Sequence, residues 1–369
     1  MKTKIFAAYL PQYHEVEENN MFWGKGFSDW VGVKNAKPQF YGHKQPKVPL
    51  NEYYYDLSDV EVIRWQANLA QKYRIDGFCM YHYWFDHGKT VLETPSKLLL
   101  MNKDIDIMYF FSWDNGSWIR SWSNISGNAW APQFDKKERK SEEILLKHDY
   151  GNENDWENHF NYLLPFFRDH RYYKIDGKPV FILFHVDNPT IIKKMQDKWN
   201  ELAIENGFPG VFMLSSVGPF RNKKCLDAQF KYEPIGVWEK KRAIRRRIGK
   251  LLNIEGFSEF LNIVSYKKAW NIVLRQSKKM LKQHIIMSGF VGYDDTPRRG
   301  NKASIVKGQS PVLFEQFFNE FYKLNNKYCM PFLLITAWNE WGEGAYLEPD
   351  DEEGFSYLEA VRKVVEKNM

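Results

Sequence analysis

The chain has 369 residues and a mass of 44.0 kDa, with 52 Lys and Arg against 46 Asp and Glu, a formal charge of +6. At 44% hydrophobic and 27% charged residues it is neither disordered nor collagenous, and a core of this size needs no disulfide or metal staple. No stretch approaches the ~18 apolar residues of a membrane-spanning helix.

The elements follow in chain order. Ile5–Tyr9 reads as a first strand; the run ends at Pro11 and is too short for the apolar region of a secretion signal, despite the basic start at Met1 to Lys4. Ser58 is placed to cap a helix through about Tyr73, with Val60, Ile63, Ala67 and Ala70 on one face. Asp76–Trp84 is the second strand, Thr94–Met101 a short helix and Ile105–Trp113 the third strand. A long polar segment, 114–153, reads as an extended loop. A helix at 155–169, a strand at Pro179–His185 and a helix at 190–206 follow; Gly207 and Pro209 stop the last. Val211–Ser216 and Ala228–Tyr232 are the fifth and sixth strands, followed by an insertion at about 236–282. Ile285–Gly289 is the seventh strand, 311–327 a helix, Phe332–Trp338 the eighth strand and 354–367 a final helix.

Eight short apolar strands separated by helical patterns predict an α/β fold, a (β/α)8 TIM barrel. It carries a long loop after strand 3 and a basic helical insertion after strand 6, and residues 1–369 form one domain. The alternative is an open doubly wound sheet; no GxGxxG follows the first strand, which removes its dinucleotide-binding form.

Barrel chemistry gathers where strands end. The first strand runs into Tyr9, Gln12, Tyr13 and His14, and the second into Tyr81, His82, Tyr83 and Trp84. The third ends in Trp113, Asp114 and Asn115, the fourth at His185, and the sixth at Tyr232. The seventh leads to Tyr293, Asp294, Asp295 and Arg298. Flat aromatic faces beside amides and carboxylates suit a sugar, whose C–H faces pack on rings and whose hydroxyls need donors and acceptors. The strongest signal is Asn339-Glu340-Trp341-Gly342-Glu343-Gly344 after the eighth strand. Two carboxylates three residues apart can face one cavity, and glycosidic chemistry needs one to give a proton and another to act as base or nucleophile. Proximity also drives their pKa values apart. The two glycines permit a tight turn. An acidic surface loop is the bland alternative, which Trp338 and Trp341 disfavour.

This hexapeptide resembles the strand-8 signature of glycoside hydrolase family 99. It is still more similar to the WbsX-like relatives of bacterial polysaccharide-biosynthesis clusters, often labelled glycosyltransferases. Tyr9 to His14, Phe22 to Trp30, Asp76 to Trp84, Trp113 to Asn115 and Tyr293 to Arg298 fit the same pattern, so the likeness covers most of the chain. The resemblance implies a (β/α)8 barrel and retaining chemistry through a 1,2-anhydro sugar. Glu340 would be the base for the sugar's 2-hydroxyl and Glu343 the general acid, then base. It also implies sugar contacts from Trp30, Asn339 and Trp341 and a pocket role for Tyr232. The hydrolases usually carry His where Gly342 stands, which leaves linkage preference open.

Other features weigh less. His82, Asp86 and His87 are irregularly spaced and match no ligand run, so neither metal nor cofactor is expected. Asp294, Asp295 and Arg298 could touch substrate or shape their loop by an ion pair. Cys79, Cys225 and Cys329 form no CxxC and suit a reducing compartment. Residues 239–282 hold thirteen Lys and Arg against Glu239, Glu255 and Glu259, so the remainder is mildly acidic. Ile244, Ile248, Leu251 and Leu252 share a face opposite the arginines, as in a helix lying on an anionic membrane; a solvated helix is the alternative. No nucleic-acid motif is present. The chain is expected to be a cytoplasmic enzyme, peripheral to the inner membrane, acting on an oligo- or polysaccharide, lipid-linked or free. It would be a glycosidase, transglycosylase or glycosyltransferase. A glycan-binding barrel without catalysis is the competing class, disfavoured by the presence of both glutamates.

Overall fold

The computed structural model describes residues 3–119, 144–216, 226–238, 247–248, 251 and 262–369. Eight parallel strands close into a ring: β1 (Lys4–Tyr9), β2 (Gly77–His82), β3 (Met108–Trp113), β4 (Lys178–Leu183), β5 (Phe212–Ser216), β6 (Ala228–Lys231), β7 (Ile285–Phe290) and β8 (Phe332–Thr336). Neighbours in sequence are neighbours in space, and β8 pairs with β1 to shut the barrel, with Ile5 opposite Leu333 and Ala7 opposite Ile335. Strands covered on both faces read as continuous apolar runs. Val180 to Leu183 and Phe332 to Ile335 are accordingly buried at almost every position.

Amphipathic helices wrap the ring: α1 (Val60–Lys72), α2 (Thr94–Met101), α3 (Glu153–Phe167), α4 (Pro189–Glu205), α5 (Tyr266–Met280), α6 (Pro311–Lys327) and α7 (Ser356–Lys367). The cap of α1 is Asp59, whose carboxylate accepts from the Glu61 amide at 2.9 Å. Ser58, the expected cap, instead donates its hydroxyl to Asp56 at 2.6 Å. The chain turns one residue later than the Ser58 pattern implies, and the aspartate gains the better alignment with the helix amides. Helix α3 starts with a capping box in which Asn152 and Asp155 satisfy each other's backbone amides.

The described end of the insertion expected at about 236–282 is part of the barrel's wrapping. Among the described residues, Asn262–Ser265 forms a parallel pair with Ser304–Lys307, and α5 is the helix that returns the chain to β7. Tyr266, Ala269, Trp270, Val273 and Leu274 are buried on one side. The Trp270 ring stacks on Phe290, with centroids 4.8 Å apart, and lies parallel to Phe317. The lysines on the other side of α5 masked this apolar stripe in the sequence. The basic helix expected around Ile244 and Leu252 lies mostly outside the described residues, as does Cys225. In the long loop after β3, Trp118–Ile119 and Ile144–Leu146 form an antiparallel pair that brings Trp118 back over the barrel mouth.

Candidate active site

Strand β8 ends where its sequence turns polar. Asn339–Glu340 pairs antiparallel with Ala345–Tyr346 around a tight turn at Trp341–Glu343, and Gly344 closes it at φ 56°, in left-handed backbone space. This hairpin is tied to the start of the chain. The Asn339 side chain accepts from the Leu10 amide at 2.8 Å and donates to the Leu10 carbonyl at 3.0 Å. The Tyr13 hydroxyl donates to the Asn339 carbonyl at 2.6 Å and accepts from the Trp341 amide at 3.0 Å. The Trp341 ring stacks on Tyr346 at 3.7 Å, and its indole N–H donates to buried Glu348 at 2.7 Å.

Two carboxylates emerge from this support into a cavity of about 300 Å³ at the C-terminal mouth of the barrel. Glu340 is 4% exposed, whereas the Glu343 side chain is 23% exposed, nearer the opening. Arg298, from the short helix Thr296–Arg299 after β7, reaches both: Nη1 donates to Glu343 at 2.9 Å and Nη2 to Glu340 at 3.1 Å. The same Nη2 lies 3.3 Å from Asp29, on the helix Asp29–Lys34. Burial, first of all, holds the Glu340 carboxyl above the usual carboxylate range; Arg298 opposes this, while Glu343 and Asp29 add to it. A Cβ at Gly342 would sit 2.5 Å from the Asp29 carboxylate and 2.7 Å from Arg298 Nε, so glycine leaves room for this pair.

The walls are aromatic. Tyr81 and Tyr232 join hydroxyl to hydroxyl at 3.0 Å, and Tyr83, Phe184 and Trp118 extend the surface. Trp23 and Phe27 close the other side, beside Gln12. Asp114 faces the cavity and pairs with His185 at 3.4 Å; that contact, before any other cause, raises the His185 pKa.

Of the residues expected to meet substrate, Gln12, Tyr81, Tyr83, Asp114, Tyr232, Glu340 and Glu343 line this cavity. The others stand behind it. Tyr9 donates to Gln66 at 2.7 Å, and Trp30 donates to the Tyr55 carbonyl at 2.8 Å. Tyr13, Asn339 and Trp341 build the hairpin support described above. His14 is buried. Trp84 stacks flat on His159 at 4.3 Å, and Trp113 donates to the Trp84 carbonyl at 3.2 Å. Asn115 bridges Tyr150 and His185, and Tyr293 packs on Trp238. His82 meets His159 at 2.8 Å, with burial lowering both pKa values, while the His87 side chain is 93% exposed. Asp294 and Asp295 shape their own loop. Asp294 accepts from Gln45 and Thr296 and meets the His43 ring, and Asp295 pairs with Arg299. Sequence reasoning passed over Trp23, Phe27 and Asp29, although all three lie in the Phe22 to Trp30 motif.

A family model described as Glycosyltransferase WbsX matches residues 5–361. The uncharacterized protein WxcX of Xanthomonas campestris pv. campestris, from two strains, is 27% identical over 369 residues, covering 98% of this chain and 49% of the relative. The chain thus spans about half the length of the curated relatives it matches. Among solved structures, the family 99 endo-alpha-mannosidase of Bacteroides thetaiotaomicron aligns with a TM-score of 0.58 at 14% identity, covering 98% of this chain and 96% of that one. A glycoside hydrolase-like protein aligns with a TM-score of 0.56 at 13% identity, covering 98% and 94%. At these identities the likeness is one of fold.

Proposed function

Because the chain belongs to the WbsX glycosyltransferase family, we propose that it makes or breaks a glycosidic bond of a cell-surface polysaccharide or its lipid-linked precursor, with Glu340 and Glu343 as the reacting carboxyls. The observation that carries this reading is the convergence of both glutamates on one aromatic-walled cavity of about 300 Å³. Such a bond breaks when one carboxylic acid protonates the departing oxygen while the other, ionised, acts as base. Tyr81, Tyr83, Tyr232 and Asp114 would hold the sugar, rings against its C–H faces and oxygens to its hydroxyls. Water as the final acceptor gives hydrolysis; a second sugar's hydroxyl gives transfer from the same cavity.

The roles are those the family resemblance implies, Glu340 the base for the sugar's 2-hydroxyl and Glu343 the general acid, then base. Glu343, nearer the opening, is where a leaving group departs and an acceptor enters. Glu340, deeper, keeps the raised pKa of a strong base for a sugar hydroxyl. Burial gives Glu340 the proton at rest, so this assignment requires that sugar binding leave the proton on Glu343. Replacing either residue with Gln should abolish turnover on the true glycan, measured as released or transferred sugar, with circular dichroism unchanged. The Glu343→Gln loss should be partly relieved on glycosides with an activated leaving group, which needs no proton. Full turnover in both variants would sink the reading, whereas glycan binding with no turnover by the wild type would favour a binding barrel.

The same proposal places the molecule at an anionic membrane. Lys267, Lys268, Arg275, Lys278 and Lys279 are exposed along the outward side of α5, which carries no acidic residue. A lipid-linked substrate would be met there by headgroups of opposite charge.

A further inference from the structure

One guanidinium serves three carboxylates at the centre of the cavity. Arg298 donates to Glu343 through Nη1 and to Glu340 and Asp29 through Nη2, at 2.9, 3.1 and 3.3 Å. Three acids around one cation cannot all ionise cheaply in a buried site, because the second and third negative charges are uncompensated. Among the described residues, the charged and titratable groups that face Glu340 are Arg298, Asp29 from the helix Asp29–Lys34, Glu343 on its own turn, and the phenols of Tyr13, Tyr81, Tyr83 and Tyr232. None of the phenols carries charge near neutral pH, since burial raises each of them well above its ordinary value.

We propose that Arg298 and Asp29 are positioning residues: the fork of Arg298 holds both glutamates at a fixed separation, and the surplus negative charge supplied by Asp29 keeps one proton within the cluster. Without Asp29, one cation would face two glutamates, and the cluster would part with its proton more readily. Without Arg298, nothing would hold the two side chains to one spot, and Glu340 would resist ionisation further. The open position at Gly342 belongs to the same device, since a side chain there would occupy the space of the Asp29–Arg298 contact. Arginine fits this role better than lysine, because its rigid fork carries donors on separate nitrogens at a fixed spacing, whereas an ammonium is one point charge on a flexible stem.

The inference rests on the reading of Glu340 and Glu343 as the reacting carboxyls, and the titrations that decide it need no substrate. The whole chain, labelled at the glutamate side-chain carboxyl carbons, is titrated by carbon NMR, with the Glu340 signal identified by its loss in Glu340→Gln. Asp29→Asn should lower the pH at which Glu340 titrates, and Arg298→Gln should raise it, each by about one pH unit or more for a charge this close. Arg298→Lys should leave the titration near the wild type while turnover falls, since charge is kept and the fork is lost. Movement of the Asp29→Asn and Arg298→Gln titrations in one direction, or of neither, would overturn the proposal. If Arg298→Gln fails to fold by circular dichroism, Asp29→Asn decides alone: a downward move supports the network, and an unmoved titration ends it. Opposed shifts alongside full turnover in the glutamine variants would keep the charge network and discard the chemistry. Unmoved titrations with turnover lost in Glu340→Gln would do the reverse.

Discussion

Gly342 shows how much one missing methyl can decide. Its place is filled by the Asp29 carboxylate and Arg298 Nε, so Gly342→Ala must push the pair aside. We expect a loss of about 1–3 kcal/mol in chemical denaturation, the usual cost of overpacking, with turnover falling further than stability explains. An unchanged denaturation midpoint would mean the loop absorbs the methyl. The Asn-Glu-Trp-Gly-Glu motif was legible in the sequence because its residues are contiguous and chemically unusual. Which neighbours face the cavity was not. Glu340 points in while Asn339 and Trp341 on either side turn back to Leu10, Tyr13 and Glu348, and Asp29 faces the cavity while Trp30 does not. A sequence lists strand-end residues together and leaves open which way each one turns. The partners of Arg298 were hidden for a related reason: Asp294 and Asp295, four and three residues earlier, were plausible ones, but their side chains are engaged by His43, Gln45, Thr296 and Arg299.

At the level of elements, the sequence found the helices that wrap the ring except α5, and left their ends to local competition. Asp59 and Ser58 both suit a cap, and only Asp59 bonds to a helix amide. Asp59→Ala should therefore cost about 1 kcal/mol, and Ser58→Ala clearly less, by urea unfolding. Helix α5 carries a different lesson. Its buried face, led by Trp270, belongs to the barrel, and its outward face is cationic. Exchanging Lys267, Lys268, Lys278 and Lys279 for Glu should leave the fold intact and abolish co-sedimentation with vesicles rich in phosphatidylglycerol. The wild type should bind those vesicles at low salt and lose them as salt screens the contact. Equal binding by both proteins would show that α5 is an ordinary solvated helix.

Across the molecule, the eight strands were readable because burial on both faces writes them as short apolar runs. Their closure into a ring was inferred from number, since nothing local marks β3 as the partner of β4. One clamp far from the cavity holds neighbouring layers together. Arg171 donates to the carbonyls of Leu99, Asn102 and Ile105 and pairs with Asp169 at 2.7 Å. Burial alone would raise the Asp169 pKa, but the hydrogen bonds of Arg171 and Lys103 outweigh it and hold the carboxylate well below the ordinary value of 3.8. Its stabilisation is present above that value and is lost as the pH falls below it. Thermal melting should show a drop in that acid range that Asp169→Asn largely removes, at the expense of lower stability at neutral pH. The seam between β1 and β8 has a bearing on how the chain folds. Leu10 and Asn339, joined by two hydrogen bonds, are 329 positions apart, so the hairpin bearing both glutamates acquires its anchor only when the last barrel strand docks on the first. Contacts of such long range form late because the loop they close is costly in entropy. A chain halted partway through refolding would therefore hold most of its secondary structure and remain inert, and recovered turnover would time the closing of the ring.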